Sequence, residues 1–573
     1  MSPLPDPALR RARAPLGHYP VVIVGAGING AGLFRDLCLQ DVDCLIVDAE
    51  DFCAGASAGP SRLIHGGIKY LETGEFRLVR QSTLERNLLL KNAPHYVKPI
   101  ETVLPIPSWF GGIVPSIVRF LGSQAKLKDR GVLITKVGLA MFDLFGRHHR
   151  VLPGHRMALR RRTRAGFSDM ARKVVGTATY YDARITHAER LGLELLLDGM
   201  AARPSSLAVN HVALSGTEGG ALLLRDTLEG AVHRVTADVV VNAAGAWIDR
   251  ANAALGLSTR YIGGNKGSHL LVDNPRLLEA LKGRMVYFGA SDGRVALLYP
   301  FMGNVLIGST DIPVTDPGAV VCTPEERDYM LGTVREICPE IPVSADQVVY
   351  TYCGVRPLPR SDASDPGAVS RGHSILTDRL PGSEVPVHSL VGGKWTTFRG
   401  FAEEAADRVL AELGLGRLRS MELEPIGGGR DYPVTRATRR TLLGDIAATG
   451  IGMERAEILL ERYGTRAVSV AAWCAARQDA PLPILPDFTR AEIGFLMKNE
   501  VVGRLADVLF RRTDVALSGR LTRAVAVGVA EVGGEALGWD AARRAAEVEN
   551  VAARAAAFHG MAAAFPPAGT ASA

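Results

Sequence analysis

The sequence predicts an α/β protein in which a Rossmann-type dinucleotide-binding domain carries an inserted antiparallel β-sheet domain and is followed by an all-helical C-terminal domain. Three observations predict this fold class. The stretch 19–48 has the order strand, Gly-rich turn, helix, strand, acid. The stretch 267–311 contains four strand-like runs separated by turn residues. Residues 430–560 are rich in Ala, Arg, Leu and Glu, which is typical of helices.

The Gly-rich turn follows the apolar run Val21–Val24 and contains Gly25, Gly27 and Gly30 at GxGxxG spacing. Gly25 permits a tight turn, Gly27 lets the backbone approach a pyrophosphate at the helix N-terminus, and Gly30 lets helix and strand pack closely. The second strand ends at Asp48, where a carboxylate can hold ribose hydroxyls. A turn without a ligand would leave three closely spaced glycines unexplained, so the stretch predicts a bound dinucleotide.

The order of these motifs sets the expected domain boundaries. Residues 18–415 should form the dinucleotide domain, with the β-sheet domain inserted at roughly 75–185 and 255–385. The helical domain should cover 430–560. We expect the two ends of the chain, 1–17 and 561–573, to be disordered, because the first lacks a long apolar run and the second is an Ala/Pro tail.

Composition and charge describe an ordinary globular protein and exclude several classes. The chain has 573 residues, 47% hydrophobic and 22% charged, enough for two or three domains. A net charge of +6 suits a phosphorylated small molecule or an anionic membrane surface, and no nucleic-acid motif appears. Seven cysteines without a CxxC pair favour a reducing cytoplasm over disulfides or a metal site. No run of about 20 apolar residues predicts a membrane-spanning helix.

Residues 108–164 combine apolar and basic side chains. Apolar residues within Ser108–Gly131 can form one helix face, and a basic stretch follows at Arg147–Arg164. That composition is typical of a helix lying in a membrane interface, which would place the protein on the inner face of the cell membrane. A helix packed on its own domain gives the same pattern, and short apolar stripes are more often buried. Both interpretations stay open.

Three stretches should lie beside the dinucleotide. The loop Cys53–Tyr70 follows the second strand of the fingerprint, at the carboxyl edge of the sheet where ligands bind. Val239–Trp247 is a buried strand that breaks at small residues and Gly. Ser389–Arg399 has the pattern of a strand, a double-Gly turn and a helix start, and a helix N-terminus pointing at the cofactor stabilises negative charge.

Taken in order, the motifs resemble the FAD-dependent glycerol-3-phosphate dehydrogenases, flavoenzymes that pass electrons to quinone. The matching segments are Gly25–Gly30, Ser61–Glu72, Phe76–Val79, Ala243–Trp247, Lys266–Leu270, Ile307–Asp311, Gly354–Leu358, Val391–Arg399 and Ala491–Thr513. The resemblance covers nearly the whole chain. It implies a glutathione-reductase-like FAD domain, oxidation of sn-glycerol 3-phosphate to dihydroxyacetone phosphate, hydride transfer to FAD and electron transfer to a membrane quinone.

The chain departs from the family pattern at a few positions. Lys69 stands where the family usually has Arg, and Lys lacks the planar fork that grips phosphate. His187–Glu189 replaces a usual Asp-Ala-Arg, and Asp48 replaces a usual Glu. A larger polyol phosphate, such as erythritol phosphate, is therefore an alternative substrate.

The electron acceptor and the class of protein are open at this point as well. An oxidase that returns electrons to oxygen and a non-catalytic flavin-binding protein are both compatible with the motifs. The sequence has no second GxGxxG turn, which argues against a separate NAD(P)H site. Both a homodimer and a monomer are compatible with the sequence.

The resemblance points to residues for proton transfer and for phosphate binding. His65 is the expected base for the substrate hydroxyl, because histidine titrates near neutral pH. Flavin contact, substrate orientation and a structural role are its alternatives. The phosphate should be bound by Lys69, Tyr70, Arg356 and Arg371, since guanidinium groups hold phosphate bidentately. A surface ion pair is the alternative for each arginine.

Lys394 completes the expected catalytic set with His65 and Arg356. Its ammonium group can neutralise the reduced flavin or polarise the substrate oxygen, with a structural role as the alternative. His269 is expected to be a core or cleft histidine outside this set. The residues expected to contact FAD are Gly25, Gly27, Asn29, Gly30, Asp48, Ser57, Ser61, Arg62, Val209, Ala244, Gly245, Gly393, Lys394, Thr396 and Thr397.

Three groups within this FAD-binding set have more specific expected places. One group contacts the pyrophosphate or the edge of the flavin ring: Ser57, Ser61 and Arg62. The backbone near Val209 flanks the adenine. Thr396 and Thr397 supply hydroxyl or N–H groups at a helix start.

Overall fold

The computed structural model describes residues 17–71, 74–109, 131–159, 174–318, 320–360, 372–477 and 479–566. The expectations for residues 1–16 and 567–573, for the apolar segment 110–130, for the basic residues 160–164 and for Arg371 lie outside the described residues.

The strands of the described residues follow one another along the whole chain. They are β1 (Gly17–Val24), β2 (Cys44–Val47), β3 (Leu63–Ile64), β4 (Val97–Ile106), β5 (Arg156–Leu159), β6 (Gly176–Ile185), β7 (Leu207–Val209), β8 (Val212–Glu218), β9 (Ala221–Asp226), β10 (Val232–Asn242), β11 (Ile262–Val272), β12 (Met285–Gly289), β13 (Val295–Phe301), β14 (Asn304–Gly308), β15 (Ile312–Pro313), β16 (Val348–Pro359), β17 (His373–Arg379), β18 (Pro386–Gly392), β19 (Pro481–Leu482) and β20 (Leu485–Thr489).

The helices of the described residues are concentrated in the last quarter of the chain. They are α1 (Ile28–Leu39), α2 (Phe76–Asn92), α3 (Val132–Phe145), α4 (Ala188–Ala202), α5 (Ile248–Ala254), α6 (Pro275–Leu281), α7 (Pro324–Ile337), α8 (Phe398–Glu412), α9 (Arg436–Ile446), α10 (Met453–Tyr463), α11 (Ala467–Ala475), α12 (Arg490–Asn499), α13 (Leu505–Asp507), α14 (Arg523–Leu537) and α15 (Ala541–His559). Within the described ranges, no helix has both the length and the hydropathy needed to cross a membrane.

The first sheet forms the dinucleotide domain. Its parallel strands lie in the order β18–β10–β1–β2–β7, and β17 and the β8–β9 pair extend it in antiparallel fashion. Strand β1 ends in Val-Val-Ile-Val and β2 reads Cys-Leu-Ile-Val, and both runs are buried. Apolar residues on both faces require both faces to be covered. Helices α1, α4 and α8 pack on one face, and β8, β9 and α5 on the other.

The second sheet forms the inserted domain, and its pairing is antiparallel apart from β12 with β4. The order is β15–β11–β14–β13–β12–β4–β6–β3, with β16 beside β11 and β5 beside β6. The predicted insertion at 255–385 extends too far, because β17 pairs with β18 in the first sheet. Alternating apolar residues predict a strand but not the sheet that it joins.

The C-terminal domain contains α9 to α15, which pack around an apolar core that they share with one face of the second sheet. The prediction of an all-helical domain is wrong in one detail, since β19 and β20 form a small antiparallel hairpin within it. The expected disorder of 561–573 is also wrong for its first residues. Met561 and Phe565 are buried in the core of this domain.

A buried ion network joins the C-terminal domain to the dinucleotide domain. Asp51, in the loop after β2, accepts hydrogen bonds from the guanidinium groups of Arg511 and Arg512. Asp507 pairs with the Arg511 Nη2 atom at 3.0 Å and with His211 Nε2 at 3.0 Å. Burial alone would raise the pKa of Asp51, but the two guanidinium groups hold it well below its usual range. The helical domain is therefore tied to the loop that follows Asp48.

Candidate active site at the cleft between the two sheets

A cleft of about 1900 Å³ opens along the first sheet and reaches the second. Its walls come from the glycine turn, the end of β2, the loop 54–70, the turn 243–247, β16 and the turn 393–396. Ligand pockets for drug-sized molecules usually enclose roughly 300–1,000 Å³. This cleft can therefore hold a dinucleotide and a small substrate together.

The glycine turn packs as the GxGxxG pattern requires. Gly25 has φ +102°, and a Cβ atom there would lie 2.7 Å from the Ala243 carbonyl oxygen. A Cβ on Gly30 would lie 2.0 Å from the Gly25 oxygen. Gly27 is the N-cap residue of α1 and has no side chain to cap it, while Ile28 N donates to Ser57 Oγ at 2.9 Å. The N-terminus of α1 thus lies at the cleft without a cap from its own N-cap residue, and Ser57 Oγ occupies only its first N–H group, which suits a pyrophosphate site.

Asp48 closes the end of β2 beside this turn. Its Oδ2 atom accepts a hydrogen bond from Ala26 N at 2.8 Å, and Oδ1 accepts one from Glu50 N at 3.0 Å. Burial outweighs these two hydrogen bonds and raises the pKa of Asp48 to about 7. Each carboxylate oxygen can accept a second hydrogen bond. Two ribose hydroxyl groups would supply such donors and stabilise the anion.

The other end of the cleft brings Lys394, Tyr70 and His65 together. The Lys394 Nζ atom lies 3.6 Å from the centre of the Tyr70 ring, and the His65 and Tyr70 ring centres are 6.2 Å apart. His65 N donates to Thr396 Oγ1 at 3.2 Å, which joins the loop 65–70 to the turn 393–396. The expected base and two expected cations of the site, Lys69 and Lys394, all line the cleft.

A buried ion pair, whose carboxylate also lines the cleft, holds the His65 loop in place. Gly66 N donates to Asp182 Oδ1 at 2.9 Å, and the Nη1 atom of Arg86 donates to the same oxygen at 2.9 Å. A Cβ atom on Gly66 would meet the Phe142 ring at 2.5 Å, so the backbone approaches its neighbours closely. Replacing either partner of a buried ion pair costs several kcal/mol, about 3–5. The loop is therefore fixed before any ligand binds.

Arg356 lies on β16 and faces the cleft. Its Nη1 atom donates to Asp311 Oδ1 at 2.7 Å, and Nη2 donates to Ser309 Oγ at 3.3 Å. Gly267 lies opposite, where a Cβ atom would stand 2.2 Å from Nη2. Asp311 thus orients the guanidinium plane, and the absence of a side chain at Gly267 makes room for it.

His269 also lines the cleft, and sequence reasoning placed it outside the catalytic set. It is 1% exposed, stacks on Tyr352 and shares a 2.8 Å hydrogen bond between Nε2 and Ser61 Oγ. Burial, together with the nearby Arg356 and Arg62, lowers the pKa of His269 to about 3. Because His269 lies in an apolar strand, its sequence context is typical of a histidine in the core. The polar residues of the segment Lys266–Leu270 were the signal in the sequence that could have indicated a place in the cleft.

Most of the expected cofactor residues line the cleft, and a few do not. Those in the wall are Gly25, Gly27, Asn29, Asp48, Ser57, Ser61, Ala244, Gly245, Gly393, Lys394 and Thr396. Gly30 lies behind the turn. Thr397 is buried outside the cleft wall, and Val209 is buried in β7, although the following residues Val212 to Leu214 reach the cleft.

The structure gives the side chain of Arg62 a different partner from the expected cofactor. Its guanidinium group is buried and pairs with both carboxylate oxygens of Glu189, at 2.7 Å from Nη1 and 2.5 Å from Nη2. It does not line the cleft, so its charge is directed at Glu189 and not at a pyrophosphate. Sequence reasoning could not find this partner, because Glu189 is 127 positions away.

The C-terminal domain contributes residues that sequence reasoning missed altogether. Arg554, Phe558 and His559, at the end of α15, lie in the wall of the same cleft. The sequence of this domain contains no Gly-rich turn, so nothing in it indicated a contact with a ligand.

The residues of the cleft fit FAD. The N-terminus of α1 suits a pyrophosphate, Asp48 suits a ribose, and the cationic end at Lys394 suits a flavin that gains negative charge on reduction. The Asn29 Oδ1 atom is buried beside the cleft and makes no hydrogen bond within the described residues. A bound cofactor can supply the donor that this oxygen lacks.

Comparisons with known proteins agree with the geometry. Residues 20–385 match the family model described as FAD dependent oxidoreductase, and residues 420–544 match the C-terminal domain of alpha-glycerophosphate oxidase. A glycerol-3-phosphate dehydrogenase from Synechocystis sp. is 32% identical and aligns with 87% of this chain and 89% of its own. A D-erythritol 1-phosphate dehydrogenase from Brucella abortus is 28% identical over 86% of this chain and 93% of its own.

A solved structure shares the fold. The glycerol-3-phosphate dehydrogenase from Bacillus halodurans, complexed with FAD, superposes with a TM-score of 0.71 at 23% identity, covering 93% of this chain and 94% of its own. The expected fold class and cofactor are confirmed. The chain belongs to the FAD-dependent glycerol-3-phosphate dehydrogenase family, and FAD is its cofactor.

Proposed function

We propose that the protein oxidises sn-glycerol 3-phosphate to dihydroxyacetone phosphate and passes the electrons to a membrane quinone. The observation that supports this most directly is the meeting of His65, Tyr70 and Lys394 at one end of a cleft that also contains Arg356. An alcohol oxidation needs a proton acceptor, and a phosphorylated substrate needs cations.

Each residue has a distinct role in this proposal. FAD, when bound, supplies the hydride acceptor for the substrate. A ring nitrogen of His65 takes the proton of the C2 hydroxyl group. The ammonium group of Lys394, held against Tyr70, stabilises negative charge that develops on the C2 oxygen.

Arg356 and Lys69 bind the phosphate. The bond to Asp311 fixes the guanidinium plane at the cleft wall, where its fork matches two phosphate oxygens. Lys69 adds a second positive charge from the His65 loop. The planar fork gives direction, whereas an ammonium group accepts phosphates in several orientations. A larger polyol phosphate is therefore the second candidate substrate, in line with the name of the Brucella relative.

Anaerobic bleaching of the flavin absorbance tests the substrate. The purified protein is mixed with sn-glycerol 3-phosphate, with D-erythritol 1-phosphate and with unphosphorylated glycerol. We expect rapid bleaching by sn-glycerol 3-phosphate and none by glycerol. Faster bleaching by the erythritol compound would assign the larger substrate. A bound flavin that none of the phosphates bleaches would contradict a dehydrogenase.

The acceptor is tested separately with the reduced protein. We expect a water-soluble ubiquinone analogue to reoxidise the flavin much faster than dissolved oxygen does. Stoichiometric hydrogen peroxide with little quinone reduction would instead identify an oxidase. The match of residues 420–544 to an oxidase domain makes this comparison necessary.

We also propose that α3 rests on the membrane surface. Leu133, Val137 and Leu144 are 52%, 54% and 56% exposed and project from one side of the helix. Lys136 lies on the same helix and basic residues follow it from Arg147, and that combination suits an anionic interface. Cofactor reoxidation by a membrane quinone needs such a contact.

Flotation with vesicles of phosphatidylcholine and phosphatidylglycerol tests the contact. We expect the wild-type protein to float and a Leu133→Gln, Val137→Gln, Leu144→Gln variant to stay at the bottom of the gradient. A control variant, Leu415→Gln with Leu418→Gln, removes two apolar side chains elsewhere that are at least about half exposed, and it should float. Equal flotation of all three proteins would exclude α3 as the contact.

A further inference from the structure

The end of α15 forms part of the FAD cleft although it belongs to the C-terminal domain. Three of its residues, Arg554, Phe558 and His559, lie in the cleft wall. They occupy the last two turns of a 19-residue helix. The family model described as FAD dependent oxidoreductase matches only residues 20–385 and does not include this helix.

His559 fixes the position of the helix end. Its Nδ1 atom is 3.0 Å from the carbonyl oxygen of Thr351 on β16, which accepts the hydrogen bond. The imidazole ring also stacks on Tyr350, with ring centres 4.6 Å apart, and on Phe510, at 5.0 Å. The helix end is therefore held between the inserted domain and its own domain, and it cannot shift without breaking aromatic contacts.

Arg554 connects this helix to the ribose end of the cleft. Its Nη1 atom lies 3.3 Å from Glu50 Oε2, and Glu50 comes two residues after Asp48. The guanidinium carbon is 6.0 Å from the Phe510 ring centre and 5.9 Å from that of Phe558. The charge thus lies near two aromatic rings and beside the Glu50 carboxylate.

The carboxylates of Asp48 and Glu50 repel an anionic cofactor. Asp48 and Glu50 both line the cleft near the helix N-terminus that suits the pyrophosphate. Two like-charged groups repel a third of the same sign. Arg554 is placed to neutralise the charge of Glu50. The Asp48 carboxylate is then left to accept hydrogen bonds from the ribose.

Phe558 offers an apolar surface at the same place. It is 38% exposed, lines the cleft and lies beside the Arg554 guanidinium group. Stacking of an aromatic side chain on a nucleic-acid base contributes about 1–3 kcal/mol in other complexes. An adenine covering this ring would remove it from water.

We propose that α15 closes the adenosine end of the FAD site, with Phe558 packing on the adenosine and Arg554 neutralising Glu50. The C-terminal domain is then part of the cofactor site. The Asp51–Arg511–Arg512 network and α15 act together, since both hold this domain against the loop that carries Asp48 and Glu50. This proposal concerns cofactor binding and does not depend on the substrate or on the electron acceptor.

Binding of FAD and of ADP to the apoprotein tests it. ADP is the probe for the adenosine half, since it lacks the flavin. We expect Phe558→Ala to raise the Kd of both nucleotides about tenfold, and Arg554→Gln to raise both about three- to tenfold with a smaller effect at high salt. The matched control is Arg543→Gln, at the other end of α15, where the side chain pairs with Glu547 and does not line the cleft.

Charge rescue distinguishes the proposed role of Arg554 from a structural one. Glu50→Gln in the Arg554→Gln protein should restore the Kd of ADP towards the wild-type value, because the charge that Arg554 neutralises is gone. Circular dichroism and the Tm of each apoprotein check folding, and Phe558→Leu replaces Phe558→Ala should the latter fail to fold. Unchanged Kd values in folded Phe558 variants, or equal losses in the Arg543→Gln control, would overturn the proposal. A double variant no better than Arg554→Gln would overturn the neutralising role.

Discussion

The ammonium group of Lys394 lies 3.6 Å from the centre of the Tyr70 ring. A cation over an aromatic face gains about 0.5–2 kcal/mol, more when water is excluded. The contact holds together two turns that are more than 300 positions apart in the chain. It also keeps a positive charge at the end of the cleft where His65 lies.

Lys394→Met should abolish most of the chemistry and keep the cofactor. Losing one preorganised charge at an active site costs about 10²–10³ in rate. We therefore expect anaerobic flavin bleaching by the substrate to slow about 100-fold, measured by stopped flow, with unchanged FAD content. The control is Lys98→Met, because the Lys98 ammonium group also lies over a tyrosine ring, Tyr432, but outside the cleft. Wild-type bleaching in the Lys394 variant would remove this residue from the catalytic set.

Arg356→Ala should weaken substrate binding much more than FAD binding. A charge-assisted hydrogen bond contributes about 1.5–3 kcal/mol, which corresponds to a rise in KM of about 10- to 150-fold. Arg356→Lys should recover part of the affinity, since charge returns without the planar fork. Arg327→Ala is the control, because Arg327 is half-buried, pairs with Asp328 and does not line the cleft. Loss of FAD from the Arg356 variant would show that the residue is structural.

Asp51→Asn should destabilise the attachment of the C-terminal domain. The change leaves Arg511 and Arg512 as buried cations with weaker partners. Removing one partner of a buried pair costs about 3–5 kcal/mol. Urea unfolding of the variant should show a loss of this size, whereas Asp328→Asn on the surface should show less than about 0.5 kcal/mol. Equal midpoints in both variants would mean that the network does not hold the domain.

The stability of the protein should fall in acid partly because of His269. The pKa of this side chain is about 3 in the folded protein, below the 6.5 of an ordinary histidine. Between these values the unfolded chain binds a proton that the folded chain does not. The stabilisation that the folded protein gains from a neutral His269 is therefore complete above pH 6.5 and is lost as the pH falls towards 3. At pH 5 the free energy of unfolding is lower by about 2 kcal/mol for this reason.

Comparison of His269→Gln with the wild type at two pH values checks this. The difference in the free energy of unfolding between pH 7.5 and pH 5 should be about 2 kcal/mol smaller in the variant. The variant must keep its far-UV circular dichroism for the comparison to count. Identical differences in both proteins would place the acid sensitivity elsewhere.

The sequence by itself determined the local features of the site. The glycine spacing, the apolar runs around it and Asp48 predict one strand–turn–helix–strand unit, because each depends on neighbours within about thirty residues. The double-Gly turn before Lys394 and the loop of His65 were also predicted next to the cofactor, since both follow strands that end at the same edge of a parallel sheet. Their place in the cleft wall agrees with that prediction.

Only the tertiary structure decided which distant residues meet. Arg62 pairs with Glu189, which withdraws it from the cleft, and His269 faces the cleft from a strand that resembles core. Arg554 reaches Glu50 across 504 positions of the sequence. Periodicity and turn residues fix which face of an element is buried, but they carry no information about the element on the other side. Those partners are set by how whole domains pack, and that packing brings the C-terminal helix to the wall of the cleft.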